Sequence, residues 1–125
     1  MSRSFDGETA LTPVGPGTYA GAISEHWSVG AGPNGGYVSA LLLRAMKLML
    51  ADETWHPRSL TAHYVSAPAV GPVVVHVTLE RQGRRVTSLS ARMEQDGKLR
   101  ALALGAFAIE MEGPRWQDAT MPKVP

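Results

Sequence analysis

The chain has 125 residues, 44% of them apolar, a net charge of +1 and no cysteine. That length fits one domain with a real core. The charge excludes bulk electrostatic recruitment of nucleic acid or an acidic membrane, and the lack of cysteine excludes a disulfide framework and a thiolate metal site.

Residues 1–16 read as an N-terminal arm, with turn chemistry at Pro13, Gly15 and Pro16. They hold no apolar signal core, so a cytoplasmic chain is expected. Gly17 to Ser24 reads as a short strand and Trp27 to Val29 as a second extended piece. Gly30 to Leu50 is the stretch that organises the rest. It opens with a glycine-rich turn through Gly36 and continues as an apolar run from Tyr37 to Leu50, broken only by Ser39, Arg44 and Lys47. Ala, Leu and Met dominate and Val38 is the one β-branched residue, which favours a helix. Its apolar residues cover nearly the whole circumference, so it is expected to be surrounded. At about 21 Å it is too short to span ~30 Å of hydrocarbon. Asp52 to Thr54 end it on polar residues, and Pro57 stops any continuation.

Four strands are expected next: Arg58 to Ser66, Val73 to Arg81, Arg84 to Gln95 and Lys98 to Ile109. Gln82-Gly83 is one hairpin candidate. Asp96-Gly97 is a stronger one, a dipeptide that tolerates positive φ at both turn positions. The long apolar run of the last strand, with small Gly105 and Ala106, suggests burial on both faces or a close backbone approach. The order is strand, buried helix, antiparallel meander, and no second helix is found for a ferredoxin-like alternative. The expected fold is therefore α+β, a single hotdog domain over residues 17–112 in which an antiparallel sheet wraps one long central helix. Residues 113–125 follow as a C-terminal tail or linker.

Three segments, GPNGGYVSALLLRAM, SLTAHYVSAPAVGPV and GRRVTSLSARMEQDGKLRALAL, together resemble the acyl-CoA thioesterase II family, and more closely its bacterial thioesterase-like branch, over roughly Ser24 to Ile109. The resemblance implies a hotdog fold, hydrolysis of acyl-CoA to free fatty acid and CoA, and no metal or redox cofactor, coenzyme A being part of the substrate. Members of that family usually carry two hotdog repeats in a longer chain, and this sequence resembles the first. The family's water-activating Asp, Thr or Ser, and Gln centre on the second repeat, so none transfers here. The chain is then one half of a larger enzyme, a self-pairing single hotdog or an inactive relative.

Asn34, Gly35 and Gly36 sit at the expected helix N-terminus. Free N–H groups and the helix dipole there suit a thioester oxygen that gains negative charge, and glycine permits close approach. The alternative is a turn that only needs positive φ, with Asn34 as a cap. His63 and His26 are the candidate general bases, since imidazole titrates near neutrality, although lone histidines more often pack or sit at the surface. Gly35 and Tyr37 are read as substrate contacts. Met46, with Leu41, Leu42, Met49 and Phe107, either lines an acyl tunnel or is plain core. Arg84 and Arg85 belong to a cationic hairpin that suits CoA phosphates, or else a solvated edge guarded against aggregation. No metal-ligand cluster and no nucleic-acid pattern stands out.

An exposed sheet edge calls for a homodimer or pairing with a second hotdog domain. The leading reading is an acyl-CoA thioesterase. The rival is a non-catalytic acyl-CoA- or lipid-binding, or scaffolding, hotdog, which the lack of a carboxylate on Tyr37 to Leu50 favours. A hotdog dehydratase ranks last, because its His-plus-acid pairing is missing.

Overall fold

Residues 4–125 are described in a computed structural model, and the first three residues of the expected arm lie outside the described residues. In chain order the elements are helix α1 (Phe5–Glu8), strands β1 (Thr12–Gly15) and β2 (Thr18–Ile23), a 3₁₀ turn (Glu25–Trp27), the two-residue strands β3 (Ser28–Val29) and β4 (Gly32–Pro33), helix α2 (Gly35–Leu50), and strands β5 (His56–Tyr64), β6 (Gly71–Gln82), β7 (Val86–Gln95) and β8 (Lys98–Ala108). Six strands form one antiparallel sheet in the order β1-β2-β6-β7-β8-β5. The arm thus contributes an edge strand. Among the described residues no helix is long and apolar enough to cross a membrane.

Helix α2 begins at the Asn34 cap, whose side chain accepts from the Gly36 N–H, and ends at Ala51 in the left-handed region, φ 52°, where the Ala51 N–H donates to the Lys47 carbonyl. Asp52 then turns the chain by accepting from the Thr54 N–H and hydroxyl, which hold its carboxyl below its ordinary pKa. Burial of α2 runs in one broad stripe of Tyr37, Val38, Leu41, Leu42, Ala45 and Met46. The opposite side keeps Lys47 and Leu48 exposed. The expected burial on all sides is therefore not reached within this chain, because a six-stranded sheet curls round only part of a helix.

The strands answer α2 with alternating residues. On β8, Ala101, Ala103, Gly105 and Phe107 are buried beneath the helix, while Leu102 and Leu104 point to the other face and are exposed. The apolar run of β8 is thus not buried on both faces. Its small residues reflect close approach, since a Cβ built on Gly105 would stand 2.6 Å from the Met46 sulfur. Asp96 and Gly97 both take positive φ in the β7–β8 hairpin, as that dipeptide predicts. The β6–β7 turn instead has Arg84 and Arg85 at its tip, closed by a 2.9 Å bond from the Gly83 N–H to the Val86 carbonyl. Gly83 is needed there because a Cβ would meet that carbonyl oxygen at 2.5 Å.

Ala51 carries the left-handed cap without being glycine, a conformation that costs an L-residue roughly 1–2 kcal/mol. Ala51→Gly is expected to raise stability by about 0.5–1 kcal/mol, the remainder being offset by the freer unfolded chain. Urea unfolding should show a higher midpoint at unchanged slope; a lower midpoint would contradict the cap assignment.

Candidate active site

The glycine-rich turn folds back on the chain before it. The two-residue ladder of β3 and β4 and a 2.7 Å bond from the Asn34 N–H to the Trp27 carbonyl return it to the 3₁₀ turn. Asn34 then serves α2 twice: its Oδ1 accepts the Gly36 N–H at 2.7 Å and its carbonyl accepts the Val38 N–H at 3.2 Å. Among the described residues the N–H groups of Gly35 and Tyr37 have no such partner, as expected in a first helical turn. Gly35 and Tyr37 are therefore the free backbone donors of the first turn, with Gly35 at its very tip. Gly36 becomes one only when the Asn34 side chain turns away.

Tyr64, at the end of β5, fixes this tip from the sheet side. Its hydroxyl donates to the Gly35 carbonyl at 2.7 Å and accepts from the Ser39 hydroxyl at 2.6 Å. Its ring lies so close that a Cβ on Gly35 would stand 3.1 Å from it. Tyr64 is still 52% exposed, so the cluster opens to solvent beside the free edge of β5. Sequence reasoning passed over Tyr64 and Ser39. The available signal was strand parity: Leu60 packs against the core, and Ala62 and Tyr64 follow it on the same face.

The same parity separates His63 from the tip. His63 pairs with Leu102, an outward residue of β8, and faces away from α2. It lines a shallow depression of about 400 Å³ on the convex side of the sheet with His76, Arg92, Leu102 and Leu104. There Glu94 lies 3.0 Å from Arg92 Nε and 3.5 Å from His76 Nε2. His63 and Gly36 are thus not brought together.

His26 is committed elsewhere. Its Nδ1 meets the Glu8 carboxylate and lies 3.0 Å from the Ser24 hydroxyl. Glu8 also accepts from the Ser24 hydroxyl at 2.8 Å and the Trp27 indole N–H at 2.6 Å. The Ser24 bond, opposed by partial burial and reinforced by His26 and Trp27, holds the Glu8 carboxyl below its ordinary pKa.

Tyr37 is a buried post rather than a substrate contact. At 2% exposure its hydroxyl donates to the Glu8 carbonyl at 2.8 Å, with the Ala22 carbonyl at 3.1 Å, and accepts from the Ser24 N–H at 3.0 Å. Burial raises its pKa. Met46, Leu41, Leu42 and Phe107 are fully buried, and Met46 rests on Gly105. Beneath the helix there is core, not a tunnel. Arg84 and Arg85 are exposed at the far end of α2: Val86 pairs with Ala108, Ala108 pairs with His56, and His56 follows the helix C-terminus. The 16 residues of α2, about 24 Å, separate them from Gly35.

Residues 23–109 match a protein family described as the acyl-CoA thioesterase N-terminal domain. The thioesterase-like protein TwmA of Talaromyces wortmannii is 32% identical over 100 residues, 78% of this chain and 28% of that protein. A protein of unknown function with a hot dog fold from Alicyclobacillus acidocaldarius aligns at TM-score 0.88 with 28% identity, over 100% of this chain and 47% of its own. An acyl-CoA thioesterase II from Mycobacterium marinum aligns at TM-score 0.80 with 20% identity, over 98% of this chain and 45% of its own, a likeness of fold. The chain thus spans about half the length of these solved relatives and under a third of TwmA. The hotdog arrangement expected from the order of elements is the one these structures share.

The seat of Met46 can be tested directly. Gly105→Ala forces a methyl group into the sulfur, and overpacking of this kind typically costs about 1–3 kcal/mol. Chemical denaturation should register that loss. Unchanged stability would mean that slack remains under α2, and the tunnel would have to be reconsidered.

Proposed function

The chain belongs to the acyl-CoA thioesterase family through this N-terminal hotdog domain, and from that premise we propose that it acts on acyl-CoA, releasing free fatty acid and CoA at a slot completed by a second hotdog unit. The observation that carries this reading is the solvent-open helix tip, with the free Gly35 N–H clamped beside an unpaired strand edge by Tyr64. Water adds to the thioester carbonyl, whose oxygen takes negative charge near Gly35. The Gly36 N–H joins when the oxyanion displaces Asn34. Collapse breaks the carbon–sulfur bond, and the CoA thiolate leaves and takes a proton. The reading calls for no metal or redox cofactor and suits a reducing cytoplasm. Helix α2 carries no carboxylate and His63 faces the other way, so neither supplies the water-activating base to the tip of its own chain.

A second copy is the simplest such unit. β5 leaves one row of backbone N–H and C=O groups unpaired, and antiparallel pairing of two β5 strands satisfies both. It also sets the Tyr64 end of one copy beside the His56 end of the other. The partner's hairpin tip then stands three strand spacings from Tyr64, about 14 Å. Within one chain the eight residue steps from His56 to Tyr64 alone amount to about 26 Å, and the buried face of α2 fills the direct path. The pantetheine arm from sulfur to first phosphate is about thirteen bonds, roughly 15 Å at the reach of an extended amide chain. Arg84 and Arg85 therefore serve CoA across the pair rather than within one chain.

Thiol release from short, medium and long acyl-CoA tests the activity. Turnover above background supports it; saturable binding without turnover favours the non-catalytic acyl-CoA-binding reading, which the missing helix carboxylate already suggests. Mixing tests the arrangement. A Gly35→Val chain and an Arg84→Glu/Arg85→Glu chain, each inactive alone, are expected to regain about a quarter of wild-type activity when mixed equally, since half the pairs then hold one intact site. No recovery would assign the arginines to their own chain's site.

A further inference from the structure

Glu8 precedes the stretch matched by the family, residues 23–109, and takes no part in the chemistry above. Its surroundings are nonetheless the most fully satisfied polar cluster near the tip. Its side chain is only 13% exposed and receives three donors, from Ser24, His26 and Trp27. Two separate routes lead from Glu8 to the glycine tip. Through its carboxylate it holds the Trp27 indole, and the Trp27 carbonyl holds the Asn34 N–H. Through its own carbonyl it holds the Tyr37 hydroxyl, and Tyr37 is the next residue after Gly36. Trp27 stacks on Tyr37 with ring centres 5.9 Å apart, and Phe5 closes edge-on over Trp27 at 5.2 Å. Arg44 ties down the end of the same strap by donating to the Asp6 carbonyl at 2.6 Å and the Thr9 hydroxyl at 2.7 Å.

We propose that Glu8 is a positioning residue for the glycine tip: the strap Phe5–Thr9, docked through the Glu8 carboxylate, sets the conformation of Asn34, Gly35 and Gly36. The bearing on catalysis rests on the function proposed above; the structural claim does not. A carboxylate suits the position because both oxygens accept. A protonated acid or an amide turns one of them into a donor facing the donors of Ser24, His26 and Trp27. The charged or titratable groups around it are Asp6 on α1, Glu25 and His26 on the 3₁₀ turn, with His26 Nε2 3.9 Å from Glu25, and Arg44 and Tyr37 on α2. Because the folded Glu8 pKa lies below the unfolded one, docking is complete above the unfolded value of about 4.3 and is lost as pH falls through the lower folded value.

Nuclear magnetic resonance on the whole chain reads this without any activity. In the wild type the Trp27 indole N–H and the Gly35 and Gly36 amide signals are expected to move together as pH falls, with one shared midpoint on the acid side of an ordinary glutamate. Glu8→Gln should displace all three at neutral pH and abolish that titration. Asp6→Asn, which keeps the backbone carbonyl that Arg44 holds and alters a side chain that is not among the donors to Glu8, should leave them in place. Turnover of acyl-CoA by Glu8→Gln should fall about tenfold or more, chiefly in kcat, as misplacement of a reacting geometry does. A wild-type titration in which the glycine amides ignore the Trp27 midpoint overturns the proposal, as does a folded Glu8→Gln chain that shifts only Trp27. Absence of turnover in the wild type would overturn the thioesterase reading and leave this result standing.

Discussion

Helix α2 is seated on the buried face of the sheet, where Val73, Val75, Leu89, Met93 and Phe107 share the core with smaller residues. Tyr37, Val38, Leu41, Leu42, Ala45 and Met46 point down from it, and Ala91, Ala101, Ala103 and Gly105 lie among the buried residues of β7 and β8. Where Met46 meets Gly105 the absence of a side chain lets helix and strand approach closely, and the larger residues around them fill the rest of the layer. Each fully buried Leu or Met contributes about 1.5–3 kcal/mol relative to exposure. Everything else about the tip of α2 follows from this seating, because a helix held along its length can have its first turn fixed to within a hydrogen bond's tolerance.

The two ends of α2 are finished differently. The C-terminal end closes on an alanine in the left-handed region and a local turn at Asp52. The N-terminal end is held by side chains from distant parts of the sequence: Tyr64 from the last residue of β5, and Glu8 from α1 through Trp27 and Tyr37. Such convergence on one turn is more than a helix start requires, since a single cap side chain already serves there. It fits a tip whose backbone geometry matters beyond stability.

The sheet's two edges are equally unlike. β1 is four residues long, contains Pro13 and has an irregular register between Pro13 and Gly15. Those features discourage further pairing. β5 is nine residues long with a regular register from Ser59 to Tyr64 on its paired side. An edge of that length left open is an aggregation hazard unless something covers it. The helix tip, Tyr64 and Ser39 all lie along this edge, so the same feature that asks for a partner also presents the candidate site to it.

Local pattern carried much of this in the sequence. The extent of α2, the four long strands and the Asp96-Gly97 hairpin are written in residue types a few positions apart, and the three quoted segments carry the family resemblance. What the pattern left open was decided by long-range pairing. Whether His63 or Tyr64 faces the helix depends on one residue of strand parity, fixed only when Leu60 packs inward and Ala62 pairs with Ala103. Tyr37 looks from its neighbours like a site residue, yet Glu8 and Ser24, far off in sequence, claim its hydroxyl. Met46 reads equally as tunnel lining or core until Gly105 is found beneath it. Composition and spacing determined which elements this chain builds; which side chains meet at the tip was settled only by the tertiary structure, because that depends on contacts between residues tens of positions apart.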